Sequence, residues 1–529
     1  MKRTALILVG LLMTAAMAFA VGGQQPAPTG GTQRITVEVF DRGTDGGRSQ
    51  ANNNAWTQWI QDKVRRDLNI EVTFIPVGRW SENTDIINLM ASASAPDLCY
   101  TYNNAMIDTF RDQGGVVNLT PYIDRLLPDM KRLLGDDPAK PGTEFIYRQR
   151  LDDGRQFSVQ SYVTRLSQNN VFIRKDWLDR LGLPLPRTTQ EFHDALVAFR
   201  DRDPGNVGRN RVVPFLQGSD ARWGFLSIIY PYWGPNLSDR DRWIYGFGDR
   251  WVQMPGYKEG LRMMNQWYNE GLIYRDFPLL TVSDDANNIL KSGVAGAFSG
   301  NWDIPWRTDG NIADELARNV PGAEFVPVDA IQSPYDGITH KRISDKAGLF
   351  IFVPAFSRNQ EAALRYLNWL CLYENFHFLQ VGNVGVNHEL VNGVPRTLSM
   401  PAGHAWFMNS PNNIDYTMPM NGVELGNQDL NGRVLAFGYG NTPPEVIANA
   451  NTISVTNGRA PVIYVAQETQ YGIYGQVLSD KADALIAQAT IASVADFDRV
   501  WDAGMRDYMS SGAQAIIDER SRLWPASRR

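Results

Sequence analysis

Residues 35–40 (ITVEVF) are rich in β-branched side chains and read as a strand. After a polar loop, Trp56, Trp59, Ile60, Val64 and Leu68 recur at helical spacing, and residues 70–75 read as a second strand. A strand, a helix and a strand in that order form a crossover unit whose two strands lie parallel in one sheet. No other stretch commits the chain so far: it makes the N-terminal part α/β. A helix over about 83–93 and a third strand at 98–102, just after Pro96-Asp97, extend the unit. Ligands of open parallel sheets sit beyond the carboxyl ends of the strands. The loop 41–47, the turn from Gly78 to Trp80, and Tyr102, Asn103 and Asn104 are therefore expected on one rim. Trp80, Tyr102, Asn103 and Asn104 are its candidate binding residues, with ring faces and amides that both donate and accept.

The start of the chain reads as a targeting segment. Lys2 and Arg3 precede an apolar run over 5–18, and Ala18-Phe19-Ala20 supplies the small residues of a secretory signal, so cleavage is expected after Ala20. The run is shorter than the roughly 20 apolar residues of a membrane span. A lipoprotein would carry cysteine next, but Val21 stands there and Cys99 is the first cysteine. A secreted or periplasmic, unlipidated chain is expected. Residues 21–33 (VGGQQPAPTGGTQ) lack large apolar side chains and read as a flexible leader.

Removing 20 of 529 residues leaves 509, beyond the size at which one core stops growing, so at least two domains are expected. A net charge of −6 argues against a nucleic-acid partner, which would call for a basic stripe. Cys99 and Cys371 lie in apolar surroundings and are expected as buried free thiols rather than a disulfide. The five histidines show no metal-ligand spacing, and no cofactor is expected. Fifteen Trp and 20 Tyr, in an acidic secreted chain, suit stacking on sugar rings.

A second α/β portion begins near Val171. Thr188 to Glu191 resembles a capping box opening a helix through Arg200. Helices are expected over 257–268 and 360–373, and from Val477 to the end. The Gly-, Asn- and Pro-rich stretch 409–460 has little periodicity and is expected to form loops and short strands.

Several segments together resemble the family 1 extracellular solute-binding proteins. They are 91–98 (ASASAPDL), 171–200 (VFIRKDWLDRLGLPLPRTTQEFHDALVAFR), 255–277 (PGYKEGLRMMNQWYNEGLIYRDF) and 296–307 (GAFSGNWDIPWR), joined by 360–382 and 497–512. The resemblance runs over most of residues 35–525. It implies an α/β, two-lobe periplasmic binding protein fold of type II-like form, with hinge crossovers near 158–169, 331–348 and 454–464. One lobe would take 34–160 plus about 335–400, and the other 161–334 plus about 401–529. The implied function is a monomeric receptor of an ABC importer. It would capture a carbohydrate, an oligosaccharide that includes the uronic-acid class, by lobe closure and deliver it to the membrane subunits.

The resemblance also places a tryptophan against sugar near 302. Trp302 and Trp306 flank Asp303 after a Gly-rich turn, so a ring can cover a pyranose face while Asp303 or Arg307 bonds its hydroxyls. Packing of one Trp in the second lobe is the alternative. Trp223, Tyr232 and Trp233 form a second aromatic group that reads equally as core. Asn169 and Gln168 flank the first crossover, and Arg165 and Arg222 would meet a uronate carboxylate. The loop 203–214 resembles a calcium loop of the alginate-binding branch, but Asn210-Arg211 stands where its closing acids belong, so no metal is expected. A glycoside hydrolase would need two carboxyls across a bond, and Asp152-Asp153 and Asp284-Asp285 are merely adjacent. A peptide-binding receptor of similar length is the other alternative.

Overall fold

The structure, a computed structural model, describes residues 31–41, 50–135, 145–398 and 415–524, apart from 165, 218–220, 235, 249, 281–282, 308–309, 423, 426–427, 440–441 and 463–467. The expected signal segment and most of the leader lie outside the described residues. No helix among the described residues is long and apolar enough to cross a membrane.

Strand β1 (Gln33–Asp41) pairs in parallel with β2 (Ile70–Gly78), from Gln33 opposite Ile70 to Asp41 opposite Gly78. The helix Ala55–Leu68 connects them as the apolar spacing required. It opens on Asn54, whose side chain accepts from the backbone N–H of Trp56 and Thr57, and it buries Trp56, Ile60 and Val64. It closes on Asn69 in the left-handed region, a conformation that asparagine tolerates. Strand β3 (Cys99–Thr101) follows a parallel bridge between Val37 and Leu98. Strand β4 (Val159–Val163) then ends the first excursion of this body.

The second body has a four-stranded sheet in the order β6-β7-β5-β8, formed by β5 (Asn169–Arg174), β6 (Val213–Leu216), β7 (Ala295–Asn301) and β8 (Phe325–Val328). Central β5 runs antiparallel to both β7 and β8, and Phe172 stacks on Phe298 across it at 4.8 Å. After β9 (Lys341–Arg342), the chain returns as β10 (Ala347–Phe352), which lies between β4 and β3, antiparallel to both. A hairpin of β11 (His388–Val391) and β12 (Val394–Thr397) follows, then β13 (Met420–Asn421) parallel to β4, and β14 (Gly458–Arg459) parallel to β9.

Each body has its own apolar core. One gathers Val37, Trp56, Leu98, Ile351, Leu367 and also Tyr416 and Met418. The other gathers Trp177, Phe199, Phe215, Leu261 and Ile273 with the C-terminal residues Leu485, Trp501 and Ile516. The helices Phe497–Tyr508 and Gln514–Leu523 thus complete the second body.

Three passages join the bodies side by side. The first runs from β4 to β5 and the second from β9 to β10. They are tied by Ser344 N–H donating to the Leu166 carbonyl at 2.8 Å, and by the Gln168 amide donating to Ser344 Oγ at 2.7 Å. The third leaves β13 at Gly422, where a Cβ would come within 2.0 Å of Thr164 Oγ1. The stretch 454–464, expected as a crossover, instead carries β14 alongside β9. The stretch 409–460 also differs from expectation. Helices Gln428–Ala436 and Pro444–Val455 occupy it, and the latter buries Ile447, Ala450 and Ser454 along one face. Proline at the start of the second helix is compatible with its first turn, so it marks an opening rather than a break. Both cysteines are free and buried.

Glu38 is an exception to the apolar interior of β1. It is 1% exposed, Oε2 accepts from the Tyr100 N–H at 2.9 Å, and Oε1 has no partner. Burial pushes its carboxyl well above the usual range, against the Tyr100 hydrogen bond and with added repulsion from Glu82. The folded protein therefore holds a proton that the unfolded chain has released. The stability penalty is full above the raised folded pKa and is relieved as pH falls toward the ordinary carboxylate range. Glu38→Gln keeps the acceptor for Tyr100 and removes the charge. We expect a higher melting temperature than wild type at pH 7.5, with the difference shrinking toward pH 5; equal melting curves at both pH values would contradict it.

Candidate functional site

A cleft of about 300 Å³ opens between the two bodies. The first body contributes Asn104, Gln149, Gln160, Asp345 and Phe350. The second contributes Tyr230, Trp233, Trp251 and Met254 with Arg242, Arg342, Arg459 and Arg520. Its geometry follows from local structure. Tyr230 opens a 3-10 turn, Tyr230–Tyr232, that follows the helix Ala221–Ile229, Trp233 caps its end, and their rings lie 4.5 Å apart. Gly256 backs that turn: its φ is +88°, and a Cβ there would come within 1.9 Å of the Tyr232 carbonyl oxygen. Arg342 and Arg459 come from β9 and β14, the paired strands beside the passages, and Arg342 lies over the Trp251 ring at 4.9 Å.

Among the described residues two carboxylates line the cleft, and both are paired. Asp345 meets Arg148 at 2.9 Å, and Glu468 accepts from Arg520 at 2.7 and 3.1 Å. With four arginines against these two acids, the lining is net basic. Gln160 is 5% exposed and its carbonyl oxygen has no partner. On the helix Asn104–Asp112, burial pushes the Asp108 carboxyl up to about 6, although Arg111 pulls the other way; Glu468 and Asp112 add repulsion.

The sequence candidates divide between cleft, rim and core. Asn104 and Trp233 line the cleft. Trp80 stands 81% exposed on the rim, with the Arg79 guanidinium 5.2 Å from its ring. The same guanidinium lies 4.4 Å over Tyr102, which stacks on Phe40. Asn103 caps the helix Asn104–Asp112, accepting from the Met106 N–H, and has a local structural use. Asn169 lines a small cavity behind Tyr230 rather than the cleft. Arg165 and the side chains of Arg222 and Trp223 lie outside the described residues.

The expectation for 302–307 requires correction. Trp302 is 2% exposed and packs against Leu435, Ile447 and Ala450 of the two unforeseen helices and against Tyr439 between them. Asp303 is 1% exposed, pairs with Arg307 at 2.7 Å and accepts from the Tyr439 hydroxyl at 2.6 Å. Trp306 is half-buried between this cluster and the one around Phe298. None of Trp302, Asp303, Trp306 or Arg307 lines the cleft. The turn after β7 exposes no open ring because those helices cover it.

Sequence reasoning missed Tyr230, Trp251 and the four arginines. Two signals pointed toward them: the aromatic density of 230–251, and the position of Arg342 and Arg459 within stretches already expected near the hinge. In the loop after the helix Thr189–Arg202, both Asp203 oxygens accept from backbone N–H groups, of Val207 at 3.0 Å and Gly208 at 2.8 Å. The loop closes on itself through that carboxylate. Among the described residues no three His, Cys, Asp or Glu side chains gather as a metal site.

Known structures share this architecture. The alginate-binding protein AlgQ2 superposes with a TM-score of 0.62 at 16% identity, covering 94% of this chain and 98% of that one. The Streptococcus pneumoniae substrate-binding protein FusA in complex with kestose gives 0.62 at 13% identity, covering 93% and 98%. These likenesses show the fold, that of two-domain solute-binding proteins. In sequence, FusA is 26% identical over 219 residues, which is 39% of this chain and 38% of FusA. The lipoprotein LipO of Bacillus subtilis is 27% identical over 344 residues, 61% of this chain and 62% of LipO. The polygalacturonan/rhamnogalacturonan-binding protein YtcQ of the same organism is 29% identical over 150 residues, 28% of this chain and 29% of YtcQ. The matched part is thus less than two-thirds of each relative. Residues 48–372, more than half of the chain, match the family of bacterial extracellular solute-binding proteins, and the chain belongs to that family.

Proposed function

We propose that this protein is the extracellular receptor of an ABC-type importer and captures an oligosaccharide in the cleft between its two bodies. The observation that carries this reading is the composition of the cleft walls: aromatic faces from Tyr230, Trp233, Trp251 and Phe350 alternate with amides and guanidiniums from both bodies. Aromatic faces exclude water from the apolar face of a pyranose, and polar groups bond its edge. The unpartnered Gln160 oxygen is an acceptor for a sugar hydroxyl. Closure about three adjacent passages brings both walls onto one ligand. The names of FusA, a fructooligosaccharide transporter component, and of YtcQ support the same class.

A binding role, rather than hydrolysis, agrees with the pairing of both cleft carboxylates, since a glycosidase needs one free acid and one free base or nucleophile. The importer's membrane subunits are the proposed partner, and the receptor is monomeric. It is exported after cleavage behind Ala20, with Val21 first and no lipid.

Melting curves of the protein with a saccharide panel test the reading. A true ligand at a hundred times its Kd stabilises by about 2.7 kcal/mol. Trp80→Ala is expected to leave the unligated melting temperature unchanged, because the ring is 81% exposed, and to weaken the best saccharide about tenfold through lost stacking. Unchanged affinity in that variant would remove Trp80 from the site, and a panel without any stabilising saccharide would contradict the function itself.

A further inference from the structure

The wall of the cleft on the second body deepens into a side chamber of about 200 Å³. Tyr230, Trp233, Leu237, Arg242, Met254 and Arg459 line it, and all but Leu237 also line the cleft, so the two spaces adjoin. Its polar side chains present donors. Arg242 donates to the Ala460 carbonyl and reaches Asp239 at 3.3 Å, and Arg459 contacts His340 Nε2 at 2.8 Å. Each guanidinium has five N–H groups, so donors remain beyond these contacts. Trp233 is 8% exposed, and its indole N–H is buried with no partner. The Tyr230 hydroxyl donates weakly to the Arg459 carbonyl at 3.4 Å. Burial raises its pKa above the ordinary tyrosine value, outweighing Arg242, Arg342 and Arg459, which all pull it down; the hydroxyl therefore keeps its proton.

Among the described residues no carboxylate lines the chamber. The two that line the adjoining cleft are spent on Arg148 and Arg520; Arg242 shares Asp239 at 3.3 Å, and Arg459 has no ion-pair partner among the described residues, so positive charge remains in the chamber. A neutral sugar edge offers hydroxyls that both donate and accept, and it leaves the positive charge uncompensated. A group that only accepts and carries negative charge satisfies the indole N–H and both guanidiniums at once.

We propose that this chamber is an anion subsite that takes the charged substituent of an acidic saccharide, making acidic rather than neutral oligosaccharides the substrate class of this receptor. The inference rests on the reading of the cleft as a saccharide site. A uronate carboxylate and a sulfate ester share the required chemistry, and the test separates them.

Calorimetric titration of the full exported chain uses four probes: an oligogalacturonate, its methyl ester, a sulfated oligosaccharide of similar length and a neutral galacto-oligosaccharide. The oligogalacturonate is expected to bind, and its methyl ester about 10- to 100-fold more weakly, because a charge-assisted contact is lost. Added salt weakens the acid and spares the ester. Arg459→Gln loses a similar factor for the acid and almost nothing for the ester, a coupling that a merely structural arginine does not produce. Should Arg459→Gln fail to fold, Arg242→Gln carries the same comparison. Tight binding of the sulfated probe alone supports the subsite with sulfate as its anion. Neutral sugar bound as tightly as either acid, with both arginine variants unchanged, overturns the anion subsite and leaves the saccharide reading standing. Binding of none of the four overturns the saccharide reading and the subsite together.

Discussion

Trp302→Ala is expected to destabilise the folded protein by about 3–5 kcal/mol, the cost of removing a large aromatic side chain from a packed interior. Trp302 is 2% exposed, sits edge-on to Tyr439 at 5.9 Å, and is surrounded by Leu435, Ala436, Ile447 and Ala450. Its backbone N–H also donates to the Gln168 carbonyl at 2.7 Å, tying the end of β7 to the first passage between the bodies. Truncation would leave a cavity among the helices Gln428–Ala436 and Pro444–Val455, which have few other large apolar anchors on that side. Denaturant unfolding of the variant, read with saccharide affinity of its folded form, is the check. Unchanged stability with weakened binding would return the ring to the ligand site.

Asp303→Ala is expected to cost roughly 3 kcal/mol, because it removes one member of a buried charge pair and leaves its partners uncompensated. The carboxylate accepts from Arg307 Nε at 2.8 Å through one oxygen and from the Tyr439 hydroxyl at 2.6 Å through the other. Arg307 keeps 31% of its side chain in water, which holds the cost below that of a fully buried pair. Tyr439→Phe removes one hydrogen bond and should cost about 1 kcal/mol. The double variant should fall short of the sum, since both changes break the same contact. Additive losses would mean that Asp303 and Tyr439 act separately.

Both expectations concern residues that sequence reasoning assigned to the ligand, and the reason for the reassignment is specific. A Gly-rich turn followed by Trp-Asp-Ile-Pro-Trp has the composition of an exposed loop. What covers it lies more than 120 residues later in the chain, in a stretch whose Asn, Gly and Pro content conceals two helices. Within Pro444–Val455 the buried positions are Ile447, Ala450 and Ser454, a narrow stripe of one branched apolar and two small side chains with weak hydropathic contrast. Such a stripe packs closely against β5 and β8 yet leaves little periodic signal.

The N-terminal unit was legible because its information is local. The spacing of Trp56, Ile60 and Val64, the Asn54 cap and the β-branched runs on either side each favour the conformation observed, and a helical crossover of that length is long enough to bring the second strand back parallel to the first. The same holds for the Thr188 cap, whose hydroxyl accepts from the Glu191 N–H at 3.1 Å. The rim after β2 and β3 was found by the same local reasoning, and Asn104 and Trp80 stand there.

The composition of the cleft depended on tertiary structure. A chain with a net charge of −6 carries a basic cleft because Arg242, Arg342, Arg459 and Arg520, spread over nearly 280 positions, are brought together by the helix Asp239–Ile244, two short strands beside the hinge and the C-terminal helix. The acids that line the cleft with them, Glu468 and Asp345, are drawn into pairs with Arg520 and Arg148. Sequence by itself determined the α/β class, the first crossover unit and several helix boundaries, since these follow from interactions within a few residues. Which aromatics meet solvent in the cleft and which are core, and what sign of charge the cleft presents, were decided only in three dimensions. Burial and electrostatic potential are sums over neighbours that are distant in the chain.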